Sequence, residues 1–244
     1  MVHLKRLLAP RFWKIPKKVK KWVVTPRPGP HKKFECIPLL ILLRDILKLV
    51  DEAKDAKKII KSGEVFVDGK PRKDHKYPVG LMDVVAIPKL KKLYRVVPTS
   101  YGLSPINIPK KESNLKLCRI NGKTLLKKGC VQLNLHDGRN IQIPVKDPRN
   151  PKEDIYKTGD SILIEVPEQK ILEHIRMEPE NLAIITGGQN MGMIVRIKDV
   201  IKTRSREPNK VLCKGVDKEF DAIKDYVFVV GTKKPVITLE GKVV

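Results

Sequence analysis

LLILLRDILKLVDEAKDAKKIIKSGEVFVDGKPR, residues 39–72, is the stretch from which the fold is read. After Pro38, apolar residues at 39, 42, 43, 46, 47, 49 and 50 recur at helical spacing, with Arg44 and Lys48 on the thinner polar side. Asp51 ends that run or caps the next one. A second helix is predicted over EAKDAKKIIKSG, where Ala53, Ala56, Ile59 and Ile60 share a face. Gly63 is its expected stop, because glycine enters the left-handed conformation of a helix end without a Cβ clash. The other face of this helix shows Lys54, Lys57, Lys58 and Lys61. Val65 and Val67 then alternate into Asp68-Gly69, a pair suited to a two-residue hairpin turn. The run Asp83-Val84-Val85-Ala86-Ile87 is expected to close a small sheet.

Ahead of this module lies a segment of different character. The first 35 residues hold eleven Lys and Arg against one acidic residue, and five of the nineteen prolines, Pro10, Pro16, Pro26, Pro28 and Pro30. Proline removes a backbone donor and fixes φ, so neither helix nor sheet continues through such a segment. We read residues 1–36 as a basic arm that cannot build a core alone. Its aromatics Phe12, Trp13 and Trp22 are interleaved with Lys5, Arg6, Arg11, Lys14, Lys17, Lys18, Lys20, Lys21, Arg27 and Lys32. That composition can neutralise phosphates while stacking on exposed bases. Equally, the tryptophans can anchor the arm on its own domain.

Behind the module the pattern changes to short apolar runs separated by turns. Val131-Gln132-Leu133-Asn134-Leu135, Asp137-Gly138, Ile141-Gln142-Ile143-Pro144 and Thr158-Gly159-Asp160 before Ser161-Ile162-Leu163-Ile164 read as a small antiparallel barrel or sandwich. Leu182-Ala183-Ile184-Ile185 then leads through TGGQNMG, residues 186–192, into Met193-Ile194-Val195-Arg196-Ile197. This is strand, glycine loop, strand. A phosphate-binding Walker loop would end in Gly-Lys-Ser/Thr, and a dinucleotide loop would open a helix, so it is neither. Either the glycines of a bare hairpin permit the turn, or they let backbone approach a ligand. Together these segments define an α+β fold in four parts: the arm, a helix-helix-hairpin module over 37–94, a strand-rich centre over 95–175 and a small β-barrel over 176–244.

Charge bounds the function. The 244 residues carry 51 Lys and Arg against 27 Asp and Glu, a net of +24, and every one of the four parts is basic. Such a field opposes compaction and draws polyanions. The longest apolar run is far short of the roughly 20 residues of a membrane span, and charge and proline interrupt the first residues before a secretory leader could form. Cys36, Cys118, Cys130 and Cys213 are too far apart for a metal or redox pair and read as reduced thiols of a cytoplasmic protein. His136-Asp137 is the only pair that suggests catalysis, and Gly138 beside it points to a turn. No cofactor or metal is expected.

The helix pair, Gly63, Val65, Val67, Asp68-Gly69, Tyr77-Pro78-Val79 and Asp83-Val84 resemble the S-four RNA-binding domain. The resemblance implies that the second helix and the turn after it track a sugar-phosphate backbone, a role carried to Lys54, Lys57, Lys58, Lys61, Lys70 and Arg72, with Arg44 beside them. The glycine loop resembles the KOW hairpin. Gln189, Met191 and Met193 stand where basic residues are common, leaving the amides of Gly187, Gly188 and Gly192, or the nearby Arg196 and Lys198, for RNA. In order, HLKRLLAPRFW, WVVTPRPGPHKK, IPLLILLRD, YPVGLMDVV and TGGQNMG resemble the small-subunit ribosomal proteins of the S-four-e family over essentially the whole chain. The resemblance implies a monomer within the cytoplasmic ribosome that binds folded small-subunit ribosomal RNA, contacts neighbouring subunit proteins and catalyses nothing. Lack of an elaborated extension suggests an archaeal form. Two other classes compete. An RNA-modifying enzyme such as a pseudouridine synthase would need a large mixed sheet with a catalytic aspartate, and an elongation factor or RNA chaperone would use the glycine loop beside an acidic or protein-binding domain.

Overall fold

A computed structural model of the chain describes residues 4–19, 21–127, 129–145, 153–203, 206–215 and 218–239. They form two compact units, Met1–Lys116 and Leu117–Val244. The architecture is α+β and dominated by strands.

In the first unit the arm contributes a two-residue pair, β1 (Leu4–Lys5) against β2 (Trp22–Val23). Strand β3 (Ile37–Pro38) leads into helix α1 (Leu39–Ile41), which a widened turn over Leu42–Ile46 continues. Helix α2 (Ala53–Lys61) follows. Then come β4 (Phe66–Val67), β5 (Lys70–Pro71), β6 (Pro78–Val79), β7 (Val84–Ile87), β8 (Lys92–Thr99) and β9 (Gly102–Asn107). Strand β6 pairs with β3, and the other five form an antiparallel sheet in the order β5-β4-β7-β8-β9.

The first helix ends earlier than its apolar spacing predicts. Leu47 N donates to Leu42 O at 2.9 Å, one residue further back than an α-helix allows, and Lys48 takes a left-handed φ of 49°. That widened turn releases Leu49 and Val50 from the helical period. The start of the helix is satisfied by backbone, with Leu39 N and Leu40 N donating to Tyr77 O and His75 O at 2.9 and 3.1 Å. The Asp68-Gly69 turn forms as expected, with φ of 52° and 73°. Such positive values at both central residues match the twist of the flanking strands.

One apolar core runs through this unit, and the arm is part of it. Leu4, Ala9, Trp13 and Ile15 are buried with Leu39 to Leu43, Ala56, Ile60, Val65, Val67, Val79, Val85 and Val96. Trp13 Nε1 donates to Cys36 O at 2.8 Å, so the indole is buried with its polar edge satisfied. The arm builds no core alone, yet it completes this one. Strand β8 also runs through residue 94, and the compact unit extends to Lys116.

A buried charge network ties the same pieces together. Lys116 Nζ lies 2.7 Å from Asp68 Oδ2 and 2.6 Å from Asp83 Oδ1, and His31 Nε2 lies 3.0 Å from both Asp83 oxygens. Backbone donors complete the set: Val84 N to Asp68 Oδ1 at 3.0 Å and Gly80 N to Asp83 Oδ2 at 2.9 Å. The arm, the hairpin turn, the loop before β7 and the end of the unit therefore meet at four side chains. Burial alone would raise the Asp83 carboxyl, but His31 and Lys116 outweigh it and hold the group well below the usual carboxylate range.

The second unit holds two five-stranded sheets. Strands β10 (Leu115–Leu126), β11 (Cys130–Leu135), β12 (Asn140–Pro144), β13 (Ser161–Glu165) and β14 (Lys170–Ile175) order as β12-β11-β10-β13-β14. Strands β15 (Leu182–Ile185), β16 (Ile194–Ile201), β17 (Lys210–Lys214), β18 (Glu219–Ile223) and β19 (Val227–Gly231) order as β18-β17-β16-β15-β19. The last strand thus returns to lie beside the first of its sheet. Alternation in β11 is as read from sequence, with Val131, Leu133 and Leu135 buried. All four cysteines are free, and burial lifts the Cys36 thiol to about 12 and the Cys213 thiol to about 11.

Replacing Lys116→Met removes the ammonium shared by two buried carboxylates, leaving His31 beside Asp83, and is expected to cost about 3–5 kcal/mol in a denaturant titration. The folded Asp83 value lies below the unfolded one, so its stabilisation is complete above the ordinary Asp value of about 4 and fades as pH falls through and below it. The same titration repeated at falling pH should show the wild type losing stability there, with a smaller loss in Asp83→Asn.

Candidate nucleic-acid interface

Helix α2 is amphipathic in the strict sense. Ala56 and Ile60 are buried, Ala53 and Ile59 pack partly against the same core, and Lys54, Lys57, Lys58 and Lys61 are exposed. None of these lysine side chains has a hydrogen bond or ion pair among the described residues. Gly63, with φ of 78°, closes the helix, and a Cβ there would lie 3.5 Å from Lys73 Cε. Lys73, which the sequence reading passed over, therefore lies at the helix C-terminus, where the carbonyl dipoles favour a cation.

The hairpin and the loop after it extend this surface. Lys70 is exposed beside the turn. The Arg72 guanidinium sits 4.4 Å from the centre of the Tyr77 ring. Such stacking contributes about 0.5–2 kcal/mol and fixes the plane of the guanidinium fork. His75 reports the local field: burial first, then Lys57, with smaller contributions from Lys76 and Arg27, push its imidazole below the ordinary value, against Asp74. Cations from α2, from the loop and from the arm therefore gather at one place. Arg27 is held there, its N–H donating to Lys76 O at 3.0 Å and its side chain 3.2 Å from Asp74.

In the arm Lys5, Arg11, Lys14, Lys17 and Lys18 are exposed, and their side chains have no hydrogen-bond or ionic partner among the described residues. Lys21 lies over the exposed Trp22 ring at 5.5 Å. Lys32 faces Glu35 at 3.4 Å, an exposed pair worth little in water. The two tryptophans divide the roles left open above: Trp13 is an anchor, and Trp22 is half exposed. Lys20 lies outside the described residues.

Two expected contacts are corrected. Arg6 is buried, and its Nε donates to Ile15 O at 2.9 Å, bracing the fold of the arm instead of facing solvent. Arg44 is largely buried against Asp45, 2.8 Å away, so its charge is already neutralised within the widened turn of α1. Neither residue's role is visible in a charge count, because the partners are a backbone carbonyl and a sequence neighbour.

The glycine loop between β15 and β16 explains itself largely by packing. A Cβ at Gly187 would lie 2.9 Å from the Tyr226 ring, and Gly188 and Gly192 take φ of 82° and 85°. Thr186 N donates to Tyr226 O at 2.8 Å, and Gly192 N to Ile185 O at 2.8 Å. The amide of Gly192 is thus spent inside the hairpin, a further correction. Gly188 is exposed, Arg196 is half-buried on β16, and Lys198 pairs with Glu219 at 2.9 Å.

Cys118, His136 and Asp137 bring one ligand atom each within 4.8 Å of one another. Their chemistry is structural. His136 Nδ1 accepts from Arg119 N at 3.2 Å, while Asp137 accepts from Arg139 N at 3.2 Å and faces Arg139 Nε at 3.1 Å. The Arg139 cation opposes a second cation at that carboxylate, and the Asp137-Gly138 turn is closed by Gly138 N to Leu135 O at 3.1 Å.

Comparison with known families and proteins bears on this geometry. Residues 2–34 match the RS4NT domain, residues 43–85 the S4 domain, and residues 90–171 the ribosomal family S4e. The chain is 50% identical over 238 residues to the small ribosomal subunit protein eS4 of Methanocaldococcus jannaschii, covering 97% of each chain. It is also 50% identical over 243 residues to that of Archaeoglobus fulgidus, covering 98% of each. The crystal structure of the 30S ribosomal protein S4e from Thermoplasma acidophilum superposes with a TM-score of 0.68 at 33% identity, covering 81% of this chain and 96% of that one.

Because Lys57 and Lys58 are exposed and unpaired among the described residues, the double reversal Lys57→Glu with Lys58→Glu should leave the melting temperature within a few degrees of wild type. Elution from an immobilised polyanion should shift to clearly lower salt, as each lost contact lowers the salt slope by about 0.7–0.9.

Proposed function

The chain belongs to the ribosomal S4e family, and from that premise we propose that it is a structural protein of the small ribosomal subunit, holding folded ribosomal RNA through phosphate contacts. The observation that carries this reading is the surface of unpaired cations: Lys5, Arg11, Lys14, Lys17 and Lys18 of the arm with Lys54, Lys57, Lys58, Lys61 and Lys70 of the module. Proteins use such cations to release counterions from nucleic acid, and the released ions supply much of the binding free energy. Fixing the arm on a core matters here, since a pre-ordered surface loses less entropy on binding than a free tail.

The reading carries further parts. The RNA-contacting set is the ten cations above with Arg27, Lys32, Lys21 and the stacked Arg72. The last five-stranded sheet acts as a KOW-like β domain, whose glycine loop reaches RNA through Gly188 and Gln189. The chain works as a monomer within the ribosome, beside other small-subunit proteins, and its surface is one of assembly and carries no catalytic centre. No helix among the described residues is long and apolar enough to cross a membrane.

Removing the arm would test the wrong thing, because Leu4, Trp13 and Ile15 are core residues. Charge removal is cleaner. Changing Lys5, Arg11, Lys14, Lys17 and Lys18 together to Ala should lower the slope of log affinity against log salt on small-subunit ribosomal RNA by about 3.5–4.5. On a sucrose gradient the tagged wild type should travel with small subunits; a protein that stays at the top of the gradient contradicts the proposal.

A further inference from the structure

The most exposed large side chain of the described residues with apolar character is Tyr101, at 84%. It stands at the tip of the hairpin joining β8 to β9, between Ser100 and Gly102. That tip is fixed. Thr99 pairs with Gly102 in the ladder, and Thr99 Oγ1 donates to Gly102 O at 2.8 Å.

Gly102 seats the tip on the arm. Its φ is 118°, a conformation that suits glycine, and a Cβ there would lie 2.7 Å from Phe12 Cγ. Phe12 in turn packs against the core of the unit, next to buried Trp13. The residues on either side of this aromatic pair, Arg11 and Lys14, are exposed and have no side-chain partner among the described residues. A solvent-facing phenol ring thus stands on a hydrogen-bonded turn whose glycine seats on Phe12, in the arm segment that also carries the exposed Arg11 and Lys14.

Leaving a ring this exposed gains nothing for folding, and the exposed cations of the arm segment on which its turn is seated disfavour a cationic or purely apolar occupant. An unstacked base with its phosphates satisfies both features: the base offers a π-face to the ring, and the phosphates meet Arg11 and Lys14. We propose that Tyr101, with Arg11 and Lys14, forms a stacking site for one nucleotide extruded from folded RNA. This inference rests on the RNA-binding reading above.

The test uses the full chain and a small-subunit ribosomal RNA fragment that it binds, with affinity measured across a salt series. Tyr101→Ala should weaken binding about tenfold at fixed salt, within the roughly 5- to 150-fold range of a lost base stack, and leave the salt slope unchanged. Tyr101→Phe should bind within about twofold of wild type, and Arg11→Ala with Lys14→Ala should lower the slope by about 1.4–1.8. Thermal melting should be unaltered in the Tyr101 variants. If wild type binds with a steep salt dependence and Tyr101→Ala binds equally well, the stacking site is overturned while the RNA reading stands. Equal affinity for RNA together with poorer incorporation into assembled subunits would overturn it too, making the tip a protein contact. Absence of salt-dependent binding by the wild type would remove the RNA reading and this site with it.

Discussion

Four buried side chains set the frame on which the rest depends. Lys116 sits between Asp68 and Asp83, and Asp83 also holds His31. Each carboxylate would be costly alone in that interior, and each is matched by a cation or a backbone donor. The four come from the arm, the hairpin turn, the loop before β7 and the end of the first unit. A network of this kind specifies one arrangement of those segments, because any slip leaves a charge buried and unpaired.

Through that arrangement the basic surface acquires its shape. The arm could be a tethered polycation, yet Leu4, Trp13 and Ile15 sink it into the same core that turns the lysines of α2 outward. Arg27 of the arm is hydrogen-bonded through its backbone to Lys76 and paired with Asp74, and its charge, like that of Lys57 on α2, is felt at His75. The physical trade is clear: a net charge of +24 costs self-repulsion, and a polyanion relieves that cost on binding.

The parts of this structure that follow local rules were legible in the sequence. Helical spacing placed α2 and its lysine face, Gly63 marked its end, and Asp68-Gly69 marked the turn between β4 and β5. Long-range matters were not. Nothing near Asp68, Asp83, His31 or Lys116 announces that they converge, since their separations in sequence run to tens of residues and each alone resembles an ordinary surface charge. For the same reason Arg6 and Arg44 looked like phosphate ligands, though one braces a carbonyl and the other its neighbour's carboxylate. The glycine loop misled in the opposite sense: Gly187 answers the ring of Tyr226, far along the chain, a packing demand that composition cannot show. Membership of the S4e family rests on 50% identity over 97% of the chain, a property of its whole length that no single motif carries.

The central claim is that the arm and α2 form one continuous RNA-binding face. Hydroxyl-radical footprinting of small-subunit ribosomal RNA, with the wild-type chain and with variants neutralised separately in the arm and in α2, addresses it most directly. The account predicts that the backbone positions released by the two variants adjoin one another on the folded RNA. Protections that fall on unconnected regions, or that survive both variants, would contradict it.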